Sequence, residues 1–156
     1  NLTTKIDIVK NSIDLAHVLG NGNPKVALLS GTETPLTSMP SSVEAAEIVK
    51  LTAGESLKNA IVDGPFAFDT AISPEAAKVK NLNGPVAGNA DILVVPNIEA
   101  GNGLFKMMVY FMSAVAAGVV MGAKVPIMLT SRADPPQARV ASAALAALVA
   151  AKSTPD

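Results

Sequence analysis

The sequence predicts an α/β protein in which helical layers cover both faces of a mostly parallel sheet. The 156-residue chain is 49% hydrophobic but only 3% aromatic, so small and aliphatic side chains must fill its core. Such side chains let helices pack closely on a sheet. Short apolar runs also alternate with longer segments of helical periodicity, and right-handed crossovers between parallel strands produce this order.

Short apolar runs bounded by proline, glycine or polar residues predict the strands. These runs cover residues 25–30, 59–64, 90–96 and 125–129. Ligands of an open parallel sheet bind beyond the carboxyl ends of its strands. The polar residues that follow these runs are therefore candidates for a functional site.

Helices are predicted between and beside these strands. They cover residues 3–19, 42–52, a segment from residue 73, 104–117 and 136–151. The first helix carries apolar residues every three or four positions and stops at Gly20. Pro74 suits the first position of its helix, where a missing amide hydrogen has no cost.

Charge and composition argue against several classes of partner. A net charge of −1 removes the electrostatic argument for nucleic acid or anionic membranes. The absence of cysteine excludes a disulfide framework, a thiolate zinc site and a cysteine nucleophile. No uninterrupted apolar stretch is long enough to span a membrane. We expect a soluble cytoplasmic protein, cut from a longer chain because residue 1 is not methionine.

The segment Thr130-Ser131-Arg132-Ala133-Asp134 directly follows the last predicted strand. A guanidinium suits bidentate capture of phosphate, and Ser131 suits donation to a carbonyl or a developing oxyanion. Asp134 is a candidate base. The alternative is a surface ion pair between Arg132 and Asp134, with Thr130 as a cap.

Residues 99–103, with the sequence EAGNG, precede a predicted helix. One interpretation is a plain loop in which Asn102 caps the helix. The other is that the glycines let the backbone approach a ligand while the helix amides bind an anion. Spacing alone leaves both interpretations open.

Asp63 and Asp69 flank a predicted turn. Their spacing favours hydrogen bonds from turn amides to Asp63 and an exposed Asp69. His17, the only histidine, lies beside apolar positions of the first helix, and we expect it to be structural or merely exposed.

Three segments in order resemble the phosphate acetyl/butyryltransferase family, most closely its butyryltransferase branch. They are DGPFAFDTAISPEAAKVK (63–80), PVAGNADILVVPNIEAGNGLFK (85–106) and GAKVPIMLTSRAD (122–134). The likeness runs from about residue 7 to residue 151. It implies the reversible conversion of acyl-CoA and phosphate into acyl phosphate and free CoA, with no metal or other cofactor.

The resemblance also implies two α/β domains around a cleft, similar to the isocitrate/isopropylmalate dehydrogenase architecture. A full member is about twice this length, so the chain corresponds to the carboxyl-terminal half. Residues 1–112 would form most of the second domain. Residues 113–156 would supply a closing strand and helices that pack on the missing first domain. We expect a homo-oligomer.

The family's active-site roles map onto the last motif. The resemblance assigns Arg132 to phosphate or the nascent acyl phosphate, and Ser131 to polarising the thioester carbonyl. It assigns a downstream aspartate to deprotonating the CoA thiol in the reverse direction. Asp134 matches the SRAD pattern of the butyryl-like branch, whereas acetyltransferases place the aspartate further along.

Further positions match the family as substrate-binding residues. They are Gly101, Asn102 and Lys106 in its GN…K segment, Asp63 and Asp69 in its DGxLxxD pattern, and Thr130 beside the Ser-Arg pair. The sequence departs from the family at Asn89 and Asn97, where aspartates are expected, and at Phe66, where leucine is usual.

Two rival hypotheses come from other classes of protein. One is a noncatalytic unit for oligomerisation or anion binding, with residues 107–121 as a subunit interface. The other is a decarboxylating dehydrogenase on the same fold. It requires several aspartates clustered around a divalent cation, and the sequence shows no convincing set.

Overall fold

The computed structural model describes residues 1–53, 57 and 59–153. The chain divides into two compact units, Asn1–Ile98 and Glu99–Asp156, the second described as far as residue 153. The predicted division at residue 112 concerns the domains of a longer protein, and it stays a prediction.

The first unit contains a parallel sheet that the sequence predicted. Its described strands are β1 (Lys25–Leu29), β2 (Ile61–Phe66) and β3 (Ile92–Val94), in the order β2-β1-β3. Val26 of β1 lies opposite Val62 of β2 and Ile92 of β3. The central position of β1 explains its nearly continuous apolar sequence, because both neighbours and both faces bury it.

Helices flank this sheet. They are α1 (Leu2–Val18), α2 (Pro40–Thr52), α3 (Phe68–Ile72) and α4 (Pro74–Val79). The Ser73 hydroxyl caps α4 by accepting a hydrogen bond from the Ala76 amide at 3.2 Å. The short helix α3 was not predicted, since its five residues are too few to show a period.

One apolar cluster joins the sheet to α1 and α2. Its buried members are Val9, Ile13, Val26, Leu28, Ala45, Ile48 and Val94. The cluster contains no aromatic residue, as the composition required. A parallel sheet flanked by helices therefore confirms the predicted α/β class.

The second unit contains α5 (Ile98–Phe111, beginning one residue before the unit), β4 (Val119–Val120), β5 (Ile127–Met128) and α6 (Pro136–Ser153). The strand predicted at residues 125–129 was expected in the parallel sheet. Its core, β5, instead pairs antiparallel with β4, Val119 lying opposite Met128. A short connection allows antiparallel pairing, whereas a parallel pair needs a long crossover. Helix α6 packs against both strands.

The boundaries of α5 differ from the predicted 104–117. The helix begins six residues earlier and takes in Gly101-Asn102-Gly103, which were interpreted as a loop. It ends before Ser113, whose positive φ of 53° is the left-handed conformation that commonly terminates helices. Among the described helices, none combines enough length with enough apolar character to cross a membrane.

Candidate functional site

Residues 131–134, here called the Ser131 turn, connect β5 to α6. The Asp134 amide donates to the Ser131 carbonyl oxygen at 3.1 Å, and the Ser131 amide donates to Asp134 Oδ2 at 2.6 Å. Arg132 and Ala133 lie between these two bonded residues. The turn is therefore closed by a backbone bond and by a carboxylate, and Arg132 is presented at its corner.

Lys106 of α5 lies beside the Ser131 hydroxyl. Its Nζ is 3.4 Å from Ser131 Oγ, a long hydrogen bond. The ammonium also lies 5.3 Å from the ring centre of Phe105 and 5.9 Å from that of Tyr110, where cation–π attraction holds it. A lysine ammonium can only donate, so Ser131 Oγ is the acceptor and its own proton points elsewhere.

The Arg132 side chain is exposed, whereas Ser131 and Asp134 are half-buried. Arg132 and Asp134 do not form an ion pair, and the Asp134 carboxylate accepts from the Ser131 amide. Within the second unit, one cation thus lies beside the serine hydroxyl and another follows it in the chain. Such an arrangement suits an anion brought next to a carbonyl group.

Gly101 and Asn102 do not precede a helix as the sequence suggested. Both lie within α5, which begins at Ile98. The residue before a helix accepts the first intrahelical bond, from the amide of the fourth helical residue. With α5 beginning at Ile98, that fourth residue is Gly101, so the amides of Gly101 and Asn102 are used within the helix and are not free to bind an anion. Asn102 is exposed and does not cap the helix.

In the first unit, Asp63 lies within β2 and not in a turn after it. Its Oδ1 accepts a hydrogen bond from the Gly64 amide at 2.8 Å, the kind of contact that the spacing favoured. A side chain on Gly84 would place its Cβ 3.7 Å from Asp63 Oδ2. Asp63 is thus held against neighbouring backbone.

Asp69 belongs to a charged cluster that the sequence did not reveal. Lys80 Nζ lies 2.9 Å from Glu33 Oε1 and 3.3 Å from Asp69 Oδ2. The fully buried Thr70 donates its hydroxyl to Glu33 Oε1 at 2.9 Å. Glu33 and Lys80 are 47 positions apart in sequence, and no local pattern connects them.

The cluster shifts the pKa values of its members. Partial burial raises the pKa of Glu33, but hydrogen bonds from Lys80 and Thr70 outweigh it and hold that pKa below its ordinary value. Desolvation at Asp69 is likewise outweighed by the hydrogen bond from Lys80, so its pKa is also lowered. The hydrogen bond to Glu33 raises the pKa of Lys80. These carboxylates hold a lysine, and the described residues contain no group of three or more candidate metal ligands.

An open cavity of about 670 Å³ lies in the first unit, between the start of α2 and the segment after β3. Its volume would accommodate a small molecule. Two carboxylates, Glu44 and Glu47, line it together with Ser41 and Asn97. Glu44 is paired with Lys5, and the described lining residues include no lysine or arginine, so the cavity is a poor site for phosphate.

The phosphate acetyl/butaryl transferase family matches residues 1–147. The chain therefore belongs to this family, and the resemblance seen in its motifs is confirmed. A similar protein is a phosphate acetyltransferase of Rhizobium meliloti, 51% identical over 152 residues, which are 97% of this chain and 48% of that protein. A phosphate butyryltransferase of Clostridium acetobutylicum is 46% identical over 149 residues, 96% of this chain and 50% of that protein.

A solved structure agrees with these similarities. A branched-chain phosphotransacylase from Enterococcus faecalis V583 matches with a TM-score of 0.87 and 41% identity, covering 96% of this chain and 54% of that one. The chain spans about half the length of the curated relatives it matches.

Proposed function

We propose that the protein containing this chain is a phosphate acyltransferase, which converts acyl-CoA and phosphate into acyl phosphate and CoA. Family membership and relatives named for both acetyl and butyryl transfer support the reaction class. The observation that carries the proposal is the Ser131 turn, where Lys106 lies beside the serine hydroxyl and Arg132 is exposed at the corner.

The proposed reaction is a direct displacement. A phosphate oxygen attacks the thioester carbonyl carbon, the carbonyl oxygen becomes an oxyanion, and the carbon–sulfur bond then breaks to release CoA thiolate. Arg132 binds the attacking phosphate with two parallel N–H donors. Ser131 donates a hydrogen bond to the oxyanion and keeps its proton. Lys106 supports this direction, because its ammonium donates to a lone pair of Ser131 Oγ and leaves the hydroxyl hydrogen free to face the oxyanion.

Further contacts belong to the same proposal. Thr130, Gly101, Asn102, Asp63 and Asp69 are each proposed as substrate-binding residues, because they match the family's motifs. Phosphate is itself the nucleophile, so the reaction needs orientation and positive charge and no metal or added cofactor. We also propose a cytoplasmic homo-oligomer. The exposed apolar side chains of Met107, Met108 and Phe111 support an assembly.

The test is phosphate-dependent release of thiol from acetyl-CoA and butyryl-CoA by the full-length protein. Arg132→Ala removes the phosphate-binding donors, and we expect it to lower kcat/KM by about 10²–10³-fold. Arg139→Ala is the matched control, because Arg139 is an exposed arginine in the same unit that lies outside the Ser131 turn.

Two results would contradict the proposal separately. Thiol release that does not depend on phosphate would refute the reaction. Equal turnover by the Arg132→Ala and Arg139→Ala proteins would refute the role of Arg132 and leave the reaction standing.

A further inference from the structure

We infer that Asp134 is a positioning residue, which holds the Ser131 turn through a hydrogen-bond acceptor and does not serve as the base of the reaction. The inference deepens the proposed function and rests on it for its kinetic test. Its structural test, hydrogen exchange of the Ser131 amide, depends only on the geometry of the turn.

The contact between Asp134 and Ser131 is reciprocal. Ser131 N–H donates to Asp134 Oδ2 at 2.6 Å, and Asp134 N–H donates to Ser131 O at 3.1 Å. The first bond is short and joins an amide donor to a carboxylate acceptor. Because Ser131 is half-buried, removing that acceptor would leave its amide without a partner where water has limited access.

The carboxyl side of the turn is anchored to a packed helix. Pro135 follows Asp134 and restricts its backbone to extended conformations. The Pro135 carbonyl oxygen then accepts from the Ala138 amide at 3.0 Å in the first turn of α6. Ala138 and Ser142 are buried on the inner face of this helix. Asp134 is therefore attached to a fixed element.

The amino side of the turn is anchored to the same helix. The Leu129 amide donates to the Gly118 carbonyl oxygen at 3.0 Å, and the Gly118 amide donates to Ser142 Oγ at 3.0 Å. Leu129 is thus connected to α6 through Gly118 and Ser142. The hydrogen bond from the Ser131 amide to the Asp134 carboxylate then joins the two ends of the turn. We expect the position of Ser131 Oγ relative to Lys106 to depend on this hydrogen bond.

The two possible roles of Asp134 make different chemical demands. A base needs a carboxylate that can take up a proton, whereas a positioning residue needs only an acceptor oxygen at the right place. Asparagine keeps that oxygen and loses the basicity. Glutamate keeps the basicity but moves the oxygen by one methylene, and alanine loses both.

The experiment compares Asp134→Asn, Asp134→Glu and Asp134→Ala in the full-length protein, measuring kcat, KM and the pH dependence of kcat in both reaction directions. We expect Asp134→Asn to keep most of the wild-type kcat and the wild-type pH profile. We expect Asp134→Ala to lower kcat by about 10- to 100-fold, because small misplacements of reacting groups have effects of this size. Asp134→Glu should fall nearer to the alanine variant.

The chain offers a matched control at Asp91. The Lys25 amide donates to Asp91 Oδ2 at 2.9 Å, and the Asp91 amide donates to the Lys25 carbonyl oxygen at 2.9 Å. The same reciprocal contact occurs here at the start of β1, within the first unit. Asp91→Ala should leave kcat unchanged, which separates positioning of the site from a general loss of folding.

Activity retained by Asp134→Glu and lost by Asp134→Asn would identify a base and overturn the inference. Equal kcat in the wild type and Asp134→Ala would overturn it as well. If the wild-type protein shows no phosphate-dependent thiol release, the proposed function fails. Hydrogen exchange of the Ser131 amide then tests the positioning contact without any activity measurement. Faster exchange in Asp134→Ala than in Asp134→Asn supports the positioning contact, and equal exchange in both refutes it.

Discussion

Replacement of Gly118 by alanine tests the packing that holds the Ser131 turn. A Cβ at this position would lie 2.3 Å from the Leu129 carbonyl oxygen and 3.3 Å from its carbonyl carbon. Both are backbone atoms, so no side-chain rotation can relieve the contact. The segment leading into β4 would have to move away from the end of β5.

The energetic effect follows from two contributions. Overpacking of this kind costs about 1–3 kcal/mol. Separation would also break the 3.0 Å bond from the Leu129 amide to the Gly118 carbonyl oxygen, worth about 1 kcal/mol. We therefore expect Gly118→Ala to lower the free energy of unfolding of the second unit by about 2–4 kcal/mol, a large part of typical domain stability.

Urea unfolding of the 156-residue chain, followed by tyrosine fluorescence, measures this effect locally. Tyr110 is the only tyrosine of the chain, which has no tryptophan, and it lies in α5 of the second unit. Gly103→Ala is the control, since nothing lies within 4 Å of its added Cβ. Gly103 lies in α5, the helix that contains Tyr110. Alanine there should raise stability by about 0.5–1 kcal/mol.

Comparing the two alanine variants tests whether contact with the Leu129 backbone causes the loss of stability. Equal stability of Gly118→Ala and the wild type would show that the strands separate without cost. Equal destabilisation by Gly103→Ala would show that the loss does not come from contact with Leu129. Either result would refute the packing argument.

Two further changes test the first unit by urea unfolding. Ile48→Ala should lower its free energy of unfolding by about 2–5 kcal/mol, because Ile48 is 2% exposed in the apolar cluster, whereas Leu51→Ala on the exposed side of α2 should have little effect. Equal losses would contradict the burial argument. Lys80→Met should reduce the pH dependence of stability. The lowered pKa values of Glu33 and Asp69 add stability above their ordinary values of 4.5 and 3.8, and this stability is lost as the pH falls through the lowered values. An unchanged acid profile in Lys80→Met would count against the cluster.

Local sequence was sufficient for some elements and insufficient for others. The apolar runs of β1, β2 and β3 predicted a parallel sheet, since buried strands need continuous hydrophobic sequence. The run containing β5 looked the same but pairs antiparallel with β4. A strand's sequence reports its burial and not its partner, so the error at β5 has a physical cause.

For side chains as well, local sequence predicted the residue types of the site but not their contacts. The residue types of the Ser131 turn indicated anion chemistry, and Asp134 was interpreted either as a base or as the ion-pair partner of Arg132. In the structure the Asp134 carboxylate accepts from the Ser131 amide, a contact that residue type and spacing did not indicate. The approach of Lys106 to Ser131 joins elements 25 positions apart, and periodicity carries no information about such a contact.

The sequence by itself determined the class of the fold, the family and the positions of the candidate residues, since each depends on local patterns of residue type. Only the tertiary structure decided that α5 takes in Gly101 and Asn102, that Lys80 joins Glu33 to Asp69, and that Asp134 closes the Ser131 turn. These arrangements depend on how separate elements pack. The free energy of packing is shared among residues that are distant in the chain, and no single segment encodes it.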